Sequence, residues 1–271
     1  FEDEDISRFV GDHLRRNGVD IMHSARLCQL KPKQSCLEIE INQPNTENRF
    51  IEVDALLLSI GRVPNLGGLG VGKAGIHCDE NGYLPTDENF RVSGNIYAAG
   101  DVTPHPALVN LAETEGRYAI KHMYGVSRRP MRYDNMSTVM FFYPPVAAVG
   151  LNEKQCREQG IAHRVAYYAN SLVNRAIAMR SVDGFVKIIV SDDDEQKILG
   201  MRAAGPQVSS TIMTVALLMD QKKGIRDVLK SVHPHPTMSE GIQECLRLLR
   251  HKSIYKPRAF PNEIKVRSWR P

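Results

Sequence analysis

The stretch Ile96-Tyr97-Ala98-Ala99-Gly100-Asp101 decides how the rest of the chain is read. Its first four residues have the composition of a short strand covered on both faces, and Gly100 with Asp101 ends it. Leu108 to Tyr124 then carries a long helical pattern. A Gly-Asp pair at the carboxyl end of a buried strand, just ahead of a helix, sits where open α/β sheets bind ligands. Upstream, Ala55-Leu56-Leu57-Leu58-Ser59-Ile60 is a continuous apolar run, again expected as a strand covered on both faces. It ends at Gly61-Arg62-Val63-Pro64-Asn65.

Working outward, residues 3 to 16 read as a helix, with Ile6, Phe9, Val10 and Leu14 on one face and Asp3 or Asp5 as cap. Asn17-Gly18 stops it, and Val19 to Met22 is expected as a short strand. Leu37, Ile39 and Ile41 alternate with polar residues, and Ile51 and Val53 return after the turn at 44–48, which marks a hairpin. Past Pro130 the texture changes. Strand-like runs at 137–142, 146–149, 185–190 and 198–204 are separated by helical stretches near 153–159 and 209–220. That order predicts an α+β domain with an antiparallel sheet, its boundary near residues 128–134 at Arg128-Arg129-Pro130.

Composition narrows the function. Hydrophobic residues are 42% of 271, enough for at least one real core, and the net charge of +4 is mild. Acids and bases are interleaved through most of the chain, so nucleic acid is excluded as a partner. Only the tail is lopsided: Lys252, Lys256, Arg258, Lys265, Arg267 and Arg270 meet few acids, and a solvated, partly disordered terminus is expected there. Cys28, Cys36, Cys78, Cys156 and Cys245 are odd in number, with no C-x-x-C spacing and no metal-ligand cluster. They read as scattered apolar residues of a reducing, cytoplasmic compartment. No apolar run approaches the ~20 residues of a membrane helix, and no signal peptide is present. The opening Phe1-Glu2-Asp3 suggests that further sequence belongs upstream.

Gly70-Val71-Gly72-Lys73-Ala74-Gly75 fits G-x-G-x-x-G letter for letter. The fingerprint works because a strand delivers the glycines to a helix amino terminus, whose amides hold pyrophosphate. Here Gly67-Gly68 precedes it, and a hairpin-turn signal at 79–82 follows. The match is a decoy.

The strongest chemical signal is Val232-His233-Pro234-His235-Pro236-Thr237-Met238-Ser239-Glu240-Gly241. His235 and Glu240 can form a dyad: the carboxylate fixes the imidazole tautomer and stabilises its protonated form. A thiol needs such a base near neutral pH, because the thiolate is the reactive species. Thr237-x-x-Glu240 is also a capping box, with Thr237 as N-cap. A carboxylate has two oxygens, so Glu240 can share both duties.

His-Pro-Thr-x-x-Glu near the carboxyl end resembles the signature of the pyridine nucleotide-disulfide oxidoreductases, and the doubled His-Pro is most similar to the dihydrolipoamide dehydrogenase branch. Four other segments agree in chain order. Asp54 to Asn65 resembles the family's exit from its NAD domain, and Ile96 to Val102 its second FAD motif. Pro145 to Glu153 resembles the opening of the interface domain, and Ile198 to Pro206 its later strand and turn.

The resemblance implies a partial Rossmann-type NAD/FAD-binding region followed by an α+β dimerisation domain. The boundaries it suggests are 1–65 for the end of the NAD domain, 66–130 for a second FAD segment, 131–251 for the interface domain and 252–271 for a basic tail. It implies His235 as acid/base and Glu240 as its orienting partner, acting across a homodimer on a small disulfide, dithiol or lipoyl substrate. Asp101 would bind the FAD ribityl chain with Gly100 beside it. Leu108 and Val109 would present amides to the flavin, and Gly61 and Arg62 would lie by NAD(P).

The competing readings are a non-catalytic dimerisation module and a transhydrogenase or flavin reductase without a redox disulfide. No C-x-x-x-x-C pair occurs here, and the family's first FAD fingerprint and the start of its NAD domain are absent too. The isolated chain is therefore expected to be colourless and inactive. A stoichiometric flavin absorption band in the purified chain would overturn this.

Overall fold

A computed structural model describes residues 2–126, 131–222 and 224–271. The boundary expected at Arg128-Arg129-Pro130 lies outside the described residues. The chain forms two compact units: residues 1–19 with 132–271, and residues 20–131.

Helix α1 (Glu4–Arg16) begins where Asp3 accepts the Asp5 N–H (3.0 Å). Acids fill its first turn and bases its last, matching the helix dipole. The expected strand at Val19 to Met22 is absent. An unforeseen strand follows instead, β1 (Arg26–Pro32), then β2 (Leu37–Asn42) and β3 (Arg49–Val53), in one antiparallel meander. β1 is exposed throughout, so no buried face imposed an alternation that its sequence could show.

The apolar run Ala55 to Ile60 is not a strand. Leu57 is 88% and Ile60 91% exposed, and among the described residues no strand pairs with it. Apolar composition favours a covered strand only where neighbouring strands supply the ladder. Gly70 and Gly75, both left-handed, flank a single 3₁₀ turn at Val71–Ala74, with neither strand before nor helix after. β4 (Arg91–Ser93) and β5 (Ile96–Tyr97) form a two-stranded ribbon, so the opening strand is only two residues long. α2 (Val109–Met123) fulfils the helix expected there.

In the other unit, β6 (Ser137–Met140), β7 (Val146–Gly150) and α3 (Glu153–Glu158) precede β8 (His163–Ala169) and α4 (Asn174–Ala178). β9 (Phe185–Ser191), β10 (Ile198–Ala204), α5 (Val208–Asp220), α6 (Ile225–Lys230), α7 (Glu240–Leu249) and β11 (Ile264–Trp269) follow. The strands make one six-stranded antiparallel sheet, ordered β11-β8-β9-β10-β7-β6. Side chains alternate across it. Val186, Ile188 and Val190 join the core that α5 and α7 cover. On the opposite face Phe185 packs with Ile6 of α1, and Ile189 with Cys156 of α3.

Lys187 shares that second face and is fully buried. Its Nζ lies 2.8 Å from both oxygens of Asp3 and 2.7 Å from Asp5, and it also contacts Glu153. Burial alone would lower the Lys187 pKa, but the charges of Asp3 and Glu153, with the hydrogen bonds Lys187 donates to Asp3 and Asp5, raise it. Burial pushes the Asp5 carboxyl up, yet Lys187 and Arg267 outweigh it and hold it at about 2. The folded pKa lies below the ordinary 3.8, so this stabilisation is present above pH 4 and lost as the pH falls towards 2. Asp5 is expected to contribute about 2 kcal/mol on these values. Acid titration of urea unfolding, with Asp5→Asn as reference, checks it: the variant should show a flatter dependence between pH 4 and 2.

The tail corrects the expectation of a solvated terminus. β11 pairs with β8 from Ile264↔Tyr168 to Trp269↔His163, and Trp269 stacks on the His163 ring. Arg267 bonds Asp5 (2.7 Å) and Glu153 (3.0 Å), and Arg270 bonds Asp192 (2.6 Å). The acids that neutralise this segment lie far away in sequence, so local composition could not reveal them.

Candidate functional site

His235 lies in the loop between α6 and α7. Helix α7 buries Ile242, Cys245, Leu246 and Leu249 against the sheet, which fixes Glu240 at its amino terminus. The Glu240 carboxylate serves two donors. Oε1 is 2.7 Å from His235 Nδ1, and Oε2 accepts the Thr237 N–H at 2.9 Å. An ionised carboxylate only accepts, so Nδ1 carries the proton of a neutral ring and Nε2 presents its lone pair. The His235 side chain is 63% exposed and that of Glu240 only 24%. The ring is gripped from behind and open in front.

Only half of the expected capping box forms. The Thr237 hydroxyl donates to Pro234 O (3.0 Å), and Ser239, not Thr237, is the residue that precedes the helix. The sequence therefore identified the Glu240 contact correctly but misplaced the cap. His233 turns to Val228 O (3.4 Å) and takes no part in the dyad.

The other site residues lie in the second unit. Gly100 has φ +77°, and a Cβ there would meet Ala112 Cβ at 3.0 Å. Asp101 is exposed, and its carboxylate has no partner among the described residues. Leu108 donates its amide to Pro106 O (2.9 Å), so that group is already spent. Val109 opens α2, is 88% exposed, and has one of the amides that a helix start leaves unpaired. Gly61 (φ +121°) and Arg62 lie on an exposed, unpaired segment, and Arg62 has no carboxylate partner among the described residues. The structure thus groups His235 with Glu240, and Gly100, next to Asp101 in sequence, with Ala112 and Glu115 of α2.

Two features escaped sequence reading. Glu115 is buried on α2 in line with Leu111 and Ala119, and it bonds the Gly100 N–H at 2.8 Å. A charged residue inside that i, i+4, i+8 stripe was the available signal. Asp3, Asp5 and Glu153 bring three carboxylates within 4.8 Å of one another, a spacing that suits a metal. Lys187 and Arg267 already compensate their charge.

An antiparallel sheet backed by two helices, a carboxylate-held imidazole beside one of them, and a Gly-Asp turn before a helix together match one class of redox protein. The chain belongs to the pyridine nucleotide-disulphide oxidoreductase family. Residues 1–116 match its description "Pyridine nucleotide-disulphide oxidoreductase", and residues 136–246 match "Pyridine nucleotide-disulphide oxidoreductase, dimerisation domain". Among relatives, the chain is 33% identical over 254 residues to a dihydrolipoyl dehydrogenase of Chlamydia muridarum, covering 93% of this chain and 53% of that protein. It is 32% identical over 246 residues to the mitochondrial dihydrolipoyl dehydrogenase of Schizosaccharomyces pombe, covering 90% and 48%.

Among solved structures, LpdA from Mycobacterium tuberculosis superposes with TM-score 0.84 at 27% identity, covering 92% of this chain and 53% of that one. The HOCl-induced flavoprotein disulfide reductase RclA from Escherichia coli gives 0.82 at 27%, covering 92% and 56%. The chain spans about half the length of the curated relatives it matches. The homologues of the dihydrolipoyl dehydrogenase family use FAD and NAD(P)H. No helix among the described residues is long and apolar enough to cross a membrane.

Proposed function

We propose that this chain supplies the proton-transfer dyad and part of the flavin cradle of a dihydrolipoamide dehydrogenase-like enzyme. The enzyme transfers electrons between NAD(P)H and a lipoyl or other small disulfide. The observation that carries this is the 2.7 Å contact of His235 Nδ1 with Glu240, on a ring whose other side is open. FAD, which Asp101 and the first amides of α2 would hold, would supply the two-electron chemistry between nicotinamide and disulfide. His235 Nε2 takes the proton from an attacking thiol and returns it to the leaving one, and Glu240 stabilises the imidazolium formed between those steps.

Asp101 and the first amides of α2 would hold the ribityl chain and flavin edge. The exposed, unpartnered Asp101 carboxylate and the tight Gly100 turn fit that role. Gly61 and Arg62 would lie by the nicotinamide cofactor. An exposed ring with no sulfur partner among the described residues supports a site completed by a second protomer of a homodimer. Light scattering after size exclusion tests this: a dimer is expected, and a monomer at micromolar concentration would remove the shared site. All five cysteines are unpaired, which supports a reducing compartment, cytoplasmic or a mitochondrial matrix.

A further inference from the structure

We infer that Glu115, working with His105, is the positioning group for Asp101, fixing the loop that offers this carboxylate to the FAD ribityl chain. This rests on the proposal that Asp101 binds FAD. Glu115 projects from the apolar stripe of α2, with its side chain 1% exposed. A buried carboxylate is costly unless its oxygens are satisfied. Both are spent on one loop. Oε2 accepts the Gly100 N–H at 2.8 Å, at the start of the loop, and Oε1 lies 3.0 Å from His105 Nδ1, at its end.

The rest of the loop is locked from other sides. Gly100 O accepts both the Thr103 N–H (2.9 Å) and the Thr103 hydroxyl (2.8 Å). Val102 O accepts the Leu84 N–H (2.8 Å), and the His105 ring stands edge-on to buried Phe90. Asp101 lies between these contacts in sequence, is exposed, and its carboxylate makes none among the described residues. A carboxylate left exposed inside so rigid a turn is organised for a ligand outside the chain.

The test is the FAD affinity of a holoenzyme whose carboxyl-terminal half is this chain, read by flavin fluorescence at equilibrium dialysis. Glu115→Gln keeps the shape but loses the charge, and is expected to weaken FAD binding about tenfold or more. His105→Ala should weaken it less, and His105→Gln, which retains a donor, should restore most of the loss. In an Asp101→Ala background, Glu115→Gln should have no further effect, because the two act as one unit.

Additive losses, or an unchanged affinity for Glu115→Gln while Asp101→Ala binds poorly, would overturn the positioning role. Unchanged affinity for Asp101→Ala would instead remove the FAD assignment of Asp101, and this inference with it. If Glu115→Gln fails to fold, the His105 pair in both backgrounds decides the matter alone.

Discussion

Replacing His235 with glutamine is expected to lower kcat for dihydrolipoamide oxidation by about 10²–10⁴-fold, the range that a positioned acid/base contributes. The assay is steady-state reduction of NAD by a holoenzyme carrying this chain, with flavin content measured alongside. Glutamine fills similar space and keeps a donor for Glu240, but it cannot exchange a proton with a thiol at neutral pH. The loss should appear in kcat rather than KM, because the ring is needed while the proton moves. Glu240→Gln should cost less, about tenfold or more, since one hydrogen bond to a charged partner is weakened. Its amide nitrogen would face either His235 or the Thr237 N–H, so one of the two contacts of Glu240 must fail. A His235→Gln enzyme with unchanged kcat would leave the dyad as a helix-start ornament.

Lys187→Met should be the most damaging change to the fold, destabilising the chain by about 3–5 kcal/mol, the cost of leaving buried charge without its partner. Methionine matches the length of lysine, so little cavity forms. The loss comes from Asp3, Asp5 and Glu153, of which Asp5 and Glu153 still pair with Arg267. Since α1 carries Asp5 and the residue before it is Asp3, the variant should loosen α1 from the sheet first. Adding Asp3→Asn and Asp5→Asn should recover much of the stability. Urea unfolding of the three proteins measures both effects. A loss below about 1 kcal/mol for Lys187→Met would show the cluster to be no stronger than a surface pair.

The second half of the chain was legible because its strands are central. β9 and β10 are buried almost throughout, so burial writes a continuous apolar run into the sequence, and β10 falls at 198–204 as expected. β8, though flanked by β11 and β9, and the edge strand β11 alternate weakly and were not foreseen, and β11 depends on acids at positions 5 and 153. The run at 55–60 errs the other way: its residues suit a covered strand, but among the described residues nothing covers them.

His235 and Glu240 were readable because five residues and one loop join them. Glu115 and Gly100 were not paired by the sequence, because α2 folds back over fifteen positions to bring them together. Lys187 was invisible within an apolar strand for the same reason: Asp3 lies 184 residues away.

The most direct measurement is subunit complementation. One holoenzyme variant lacks His235 (His235→Gln) but keeps the redox cysteines, and the other keeps His235 but has those cysteines replaced. Each homodimer should be inactive. After unfolding and refolding the mixture, activity should return, because a hybrid dimer reunites an intact imidazole from one protomer with an intact disulfide from its partner. If the mixture stays as inactive as its components while hybrid dimers are present, His235 does not act across the protomer boundary.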